Sequence, residues 1–326
     1  MFAKKRILLS CFLLATAVNH AQFTDVINSN RPGESMAAFS VGKTVIQAEL
    51  GFYGYQDEHE LLKYEATGFG TDLSVRYGAF FEQLELSLDL QYQKENFTAL
   101  LVDESRSGFK QLTLGAKYLL YDPTKKYINR KPNLYSWNAN NKFSWRQFIP
   151  AVGVFAGFNF DLSDGVFDRS FYAPDSKMSP KLALITQNQL GRYVLVGNVI
   201  ADKWGTNRES LDFIVTLTRG FNPRWSGFLE CQGYTGDYYS DIIGRGGAAF
   251  LIQQNIQIDA SVGTNFKNTP STIIGGIGLS WRFDDNYEDV LIRLPGEEKD
   301  GKKDKKDKKK DKEKKRRDEV EGETAK

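Results

Sequence analysis

The chain has 326 residues, 26% charged and 13% aromatic, with 43 Lys/Arg against 41 Asp/Glu and a formal net charge of +2. That length fits one large barrel or two ordinary domains. Mean hydropathy is −0.44, and beyond the first residues no apolar run reaches the eighteen that a membrane-spanning helix needs. The charge is uneven: residues 1–21 carry three basic side chains, and residues 297–326 hold fourteen Lys/Arg and eleven Asp/Glu, which leaves the body at −4. An acidic body argues against nucleic acid as a partner.

Lys4, Lys5 and Arg6 precede the apolar run Ile7–Val18, which is too short to span a bilayer. Residues 1–21 therefore read as a secretory signal peptide, with cleavage after Ala21 or, alternatively, Ala17. Cys11 follows Leu8-Leu9-Ser10, a faint likeness to a lipoprotein box, but the apolar run continues past it. The mature chain keeps one cysteine, Cys231, and one histidine, His59. One cysteine forms no intramolecular disulfide, and one histidine argues against a His-rich metal site. No metal or cofactor is expected. His59 lies in Gln56-Asp57-Glu58-His59-Glu60 and reads as an exposed loop residue rather than a member of a catalytic triad.

Residues 22–43 show no period and read as an extended lead-in under or inside a barrel mouth. Alternation then begins. Ile46, Ala48, Leu50 and Phe52 alternate with Gln47, Glu49 and Gly51. Phe69, Leu73, Val75 and Tyr77 alternate with Asp72, Ser74 and Arg76, and Leu84, Leu86, Leu88 and Leu90 with Glu85, Ser87 and Asp89. Leu112, Leu114, Ala116 and Tyr118 alternate with Thr113 and Lys117. Period two puts one set on each face of a strand and excludes helix, which would smear the leucines around its surface.

Residues 121–146 form a long polar stretch. Placed after strand four, it falls on the periplasmic side, where barrels usually have short turns; either the count is off by one or the segment is unusual. Strand-like runs resume at Pro150–Phe160, Lys181–Gln189, Arg192–Ala201, Leu211–Arg219, Trp225–Tyr234, Ile242–Ile252 and Ile256–Phe266. The last run is Ser271–Phe283. Its apolar face holds Ile273, Ile277, Leu279, Trp281 and Phe283; its small or polar face holds Gly276, Gly278, Ser280 and Arg282. About ten residues, apolar toward lipid, polar toward the lumen and ending in an aromatic is how a closing transmembrane β-strand reads. The fold expected is an all-β transmembrane antiparallel barrel of about twelve strands over residues 44–283. A linker follows at 284–296, then a Lys/Asp-rich tail at 297–326. Val320 is the tail's one aliphatic side chain larger than alanine, so it is expected to be disordered.

Several stretches carry a resemblance. They are Asn30-Arg31-Pro32-Gly33-Glu34-Ser35, Val41-Gly42-Lys43, Ile46–Phe52, Leu112–Tyr118, Arg224-Trp225-Ser226 with Glu230, Ile256–Asp259 with Gly263, and Gly278–Phe283. Together they resemble the outer-membrane family catalogued under the meta-pathway of phenol degradation and often labelled simply as transporters. The likeness covers roughly residues 30–283 and departs at Asn30, in the 121–146 insert and in the tail. It implies an outer-membrane barrel with a transport role, and no residues here suit phenol cleavage. The glutamine left at the mature N-terminus resembles secreted proteins of Bacteroidota.

The residues expected to line a lumen are Glu49, Asp72, Arg76, Glu85, Asp89, Lys117, Glu230, Asp259 and Arg282. Gly278, Trp281 and Phe283 are expected to form the assembly signal read by barrel assembly machinery. Three functions compete: a channel for small, aromatic or hydrophobic solutes; a structural subunit; and an outer-membrane enzyme, which the lone His59 disfavours. In the second, tail residues 297–326 dock peptidoglycan or a periplasmic protein. An even strand count would put both termini in the periplasm, with outer-membrane lipid around the wall.

Overall fold

A computed structural model of the chain describes Ile27 and residues 29–123, 148–167 and 176–284. The expected signal peptide, linker and tail lie almost wholly outside these residues. Twelve antiparallel strands form one closed barrel. They are β1 Ile46–His59, β2 Tyr64–Gly78, β3 Leu84–Ala99, β4 Val102–Tyr121, β5 Ala151–Asp161 and β6 Met178–Leu190, then β7 Tyr193–Asp202, β8 Ser210–Gly220, β9 Trp225–Gly236, β10 Ser240–Gln253, β11 Ile256–Asn265 and β12 Ser271–Phe283. Each strand pairs with its neighbours in sequence. β1 closes on β12 in register from Ile46 opposite Phe283 to Glu58 opposite Ser271. Closure matters physically: lipid offers no hydrogen bonds, so an open edge could not lie within it.

The alternation resolves as expected. Phe52, Phe69, Leu86, Leu114, Leu217 and Ile277 point outward and are exposed, whereas Gln47, Arg76, Glu85, Thr113, Thr216 and Ser280 point inward and are buried. An apolar outer surface around a polar interior is the arrangement of a transmembrane barrel. Trp225 and Phe250 pack with ring centroids 4.7 Å apart, and Trp281 and Phe283 at 4.2 Å. All four lie near the rim where β1 begins and β12 ends, as an interfacial aromatic belt requires. At the opposite rim, Trp204, Tyr238 and Phe266 sit exposed in the turns.

Two details depart from the sequence reading, and one decides an alternative that it left open. First, β3 and β4 run well past the alternating segments, through Lys94–Ala99 and Val102–Gln111, with a bulge at Gln91/Tyr92. This extension carries Glu95, Asn96, Asp103, Glu104 and Arg106. On β3 its exposed positions are Lys94, Asn96 and Thr98 and its buried ones Glu95 and Phe97, so no apolar-out alternation marks it. Second, β4 ends and β5 begins at the rim where β1 starts. The count was therefore right, and the strand ends that flank residues 122–150 are on the side of the short turns. Third, His59 is not an exposed loop residue. It ends β1, is buried, and stacks on Tyr64 at 5.1 Å, while its Nδ1 accepts the Leu62 N–H at 3.1 Å. Lys63, at φ +50°, turns the chain so that Tyr64 folds back over the imidazole.

Candidate functional site: a segment threaded through the lumen

The lead-in lies inside the barrel. Ile27 donates its N–H to Gln254 O at the β10–β11 turn (3.2 Å), and the chain then crosses the interior before entering β1. Its contacts descend through the strand order: Glu34 and Ser35 meet β9, Met36 meets β7, Ala38 meets β6 and Val41 meets β3. Thr44 then donates to Gly78 O of β2 at 2.9 Å, and β1 starts two residues on. Such a segment has no ladder of its own, so its buried N–H and C=O groups need partners from elsewhere. Wall side chains supply them.

Glu230 accepts the N–H groups of Glu34 (3.1 Å) and Ser35 (3.3 Å). Asn198 Oδ1 accepts from Met36 N (3.1 Å) while its Nδ2 donates to Met36 O (3.0 Å). Gln187 Oε1 accepts from Ala38 N at 2.9 Å, and Glu85 Oε2 from Val41 N at 2.9 Å. Lys117 Nζ donates to Ala37 O (2.9 Å) and Phe39 O (3.0 Å). Glu49 accepts from Arg31 N at 3.3 Å and from Ser29 Oγ at 3.0 Å.

The wall residues are themselves locked together. Arg76 pairs with Glu85 at 2.8 Å and with Glu49 at 3.0 Å, Lys117 pairs with Glu85 at 3.0 Å, and Gln47 Nε2 donates to Glu49 at 2.6 Å. Two cations and two carboxylates thus form a neutral network on β1–β4, each at most 3% exposed. Neutrality and close pairing are what make buried charge tolerable. Across the lumen the wall is apolar: Phe155, Ile185, Ile200 and Ile214 point inward, and Met36, Ala38 and Phe39 pack on them. The segment therefore has one face for charges and one for an apolar patch, and burial of such side chains stabilises it by roughly 1.5–3 kcal/mol apiece.

Arg31 is the segment's ionic anchor. Its guanidinium pairs with Asp72 on β2 and lies 3.5 Å from Asp259 on β11. Beneath it lie Gly51 and Gly278, which face each other across the β1–β12 seam. A Cβ at either position would run into the guanidinium. Two glycines thus make the flat floor on which Arg31 rests.

All nine residues expected to line the lumen point into it. Six of them, Glu49, Asp72, Glu85, Lys117, Glu230 and Asp259, contact the inner segment directly. Arg76 braces two of those six, Asp89 lines a central cavity, and Arg282 sits 3.8 Å from Asp284. Sequence reasoning missed Gln187, Asn198, Ser280 and the partner role of Arg31. Gln187 and Asn198 are uncharged in apolar runs, and nothing local marks them as partners of residues about 150 positions away.

Two cavities flank the segment. One, of about 540 Å³, opens toward the rim where β1 begins; its lining includes Val194, Val196, Phe228, Leu251, Gln187 and Thr218. The other, of about 380 Å³, is central and more polar, with Tyr53, Asp72, Asp89, Lys181 and Arg245 in its lining. Asn30, Arg31, Pro32 and Gly33 line both.

A closed barrel with an apolar exterior, a charged interior and two internal cavities defines an outer-membrane β-barrel protein. Residues 29–283 match the family described as "Putative MetA-pathway of phenol degradation", and the chain belongs to that family. The match does not bear on bacterial phylum. Among solved structures, the beta domain of the Bordetella autotransporter BrkA matches at 8% identity over 73% of this chain and all of that one, TM-score 0.46. The KdgM porin in complex with disordered oligogalacturonate matches at 9% identity over 72% and 99%, TM-score 0.44. The CymD monoaromatic hydrocarbon channel matches at 10% over 74% and 89%, TM-score 0.40. These likenesses share a barrel outline and carry nothing further. Comparison with curated proteins finds no match.

Proposed function

We propose that this protein is an outer-membrane channel for small, partly apolar solutes, closed at rest by residues 29–41. The observation that carries this reading is the pair of cavities meeting at Asn30–Gly33. Barrels of about eight strands are filled by side chains and those of sixteen or more hold open channels. Twelve strands leave room that a single peptide segment can fill and, on moving, vacate. The larger cavity mixes apolar walls with Gln and Thr groups and three arginines, Arg31, Arg192 and Arg224, and has no carboxylate in its lining, which suits an aromatic ring bearing hydroxyls. Liposome swelling tests this. Phenyl glucoside should enter faster than sucrose, and faster still when the segment is loosened. Equal silence toward every solute in both states would sink the channel reading.

The same reading places both chain ends in the periplasm, since β1 begins and β12 ends on one rim and most turns there are short. It also assigns Gly278, Trp281 and Phe283 to the signal that assembly machinery reads. Protease added to intact cells should leave residues 297–326 uncut. Phe283→Ala should lower heat-modifiable, membrane-inserted protein more than deletion of 297–326 does; an equal or smaller loss would refute the assignment.

A further inference from the structure

The grip on the inner segment is mostly a grip on its main chain. Between Asn30 and Val41, seven backbone N–H groups go to wall side chains. Four carbonyls, those of Arg31, Met36, Ala37 and Phe39, accept from Gln257, Asn198 and Lys117. Every residue has a main chain, so these contacts do not depend on which side chains the segment carries. What they require is a peptide main chain that presents its N–H groups at this spacing, turned at residues 31–34 and bent at 38–39. Side-chain selection is narrow by comparison. Gly33, Ser35, Ala37 and Ala38 are small, Met36 and Phe39 pack on the apolar patch, and Arg31 is the residue whose side chain forms ion pairs with the wall among the described residues.

We propose that the lumen wall is a peptide-binding surface, that residues 29–41 occupy it as an internal ligand, and that a peptide with an arginine at a turn followed by small residues binds it in trans. The wall fits this role beyond plugging. A plug needs only volume, whereas here three buried carboxylates, Glu49, Glu85 and Glu230, each spend an oxygen on a backbone N–H. Arg76, Lys117 and Arg245 balance the charge of these carboxylates from within the wall, so the oxygens turned to the peptide serve as hydrogen-bond acceptors, and a peptide or a close imitation of one is what offers them N–H donors. The Asp72–Asp259 pair over the glycine floor is the specificity element, and it selects a planar guanidinium. This goes beyond the channel reading and does not depend on it, because binding can be read without transport.

Tethering gives the internal segment an effective concentration in the millimolar range, so the test loosens it first. Two full-length variants do so while leaving the wall intact: Arg31→Ala removes the ionic anchor, and Gly33→Val drives a side chain into the Glu230 carboxylate. The probe is a fluorescein-labelled peptide with the sequence of residues 29–41, read by anisotropy in detergent. Saturable binding at least tenfold tighter to either variant than to wild type is expected. N-methylation of the peptide amides matching Glu34, Met36 and Ala38 should weaken it at least tenfold, and so should alanine in place of the peptide's arginine. No saturable binding to both variants would overturn the proposal. Equal binding of the N-methylated peptide would overturn it too, because the wall would then not be reading the main chain.

Discussion

Glu85→Ala is expected to destabilise the barrel by about 3–5 kcal/mol, the cost of removing one partner from a buried ion network. Glu85 is the hub on which β2, β3, β4 and the inner segment converge. It takes Arg76 through two nitrogens at 2.8 and 3.0 Å, Lys117 at 3.0 Å and the Val41 N–H at 2.9 Å. Without it, two cations face a single remaining carboxylate, Glu49, in a water-poor interior. Val41 N, buried, loses its acceptor as well. The measurement is the urea midpoint of unfolding in detergent, or the temperature at which the heat-modifiable band collapses. Glu58→Ala is the control: that side chain is exposed near the far end of β1 and should cost under about 0.5 kcal/mol. Matching shifts for the two variants would mean that the network contributes nothing specific.

Gly278→Leu is expected to release the inner segment without breaking the barrel. The new side chain occupies the space of the Arg31 guanidinium, so the contacts to Asp72 and Asp259 cannot form. The contact to Asp72 is a charge-assisted hydrogen bond, which contributes roughly 1.5–3 kcal/mol, and Asp259 adds an ion pair at 3.5 Å. Losing them should raise the released population by about ten- to a hundredfold, since each 1.4 kcal/mol is tenfold. Trypsin should then cut at Lys43 much faster, and single-channel conductance in planar bilayers should rise. Gly275→Leu controls for the strand itself: it lies three residues away on the same strand but faces lipid, with ordinary space for a Cβ. Gly278→Leu with conductance and cleavage unchanged would show that Arg31 is not what holds the segment.

The interior differs from the wall in how much of it could be read from residue order. Leu84, Leu86, Leu88 and Leu90 against Glu85, Ser87 and Asp89 leave one arrangement open, because lipid tolerates only the apolar face and the lumen takes the other. The inward apolar patch was hidden by the same rule. Phe155, Ile185, Ile200 and Ile214 point into the lumen from strands whose outer faces are apolar too, so no alternation distinguishes them. His59 was misread because its burial depends on Tyr64 folding back over it, a contact set by the turn rather than by polarity.

Sequence by itself therefore determined the barrel: strand number, which side chains face lipid, and the place of the closing strand that ends at Phe283. The bilayer imposes that pattern on each strand separately, so it is written locally. Only the tertiary structure decided what fills the barrel. Residues 29–45 have no period because they form no ladder. Their path is set by Glu230, Asn198, Gln187, Lys117 and Glu85 on five different strands. Partners up to about 200 residues away leave no local trace in the order of amino acids, and Gly278, legible only as part of a closing strand, became the floor under Arg31.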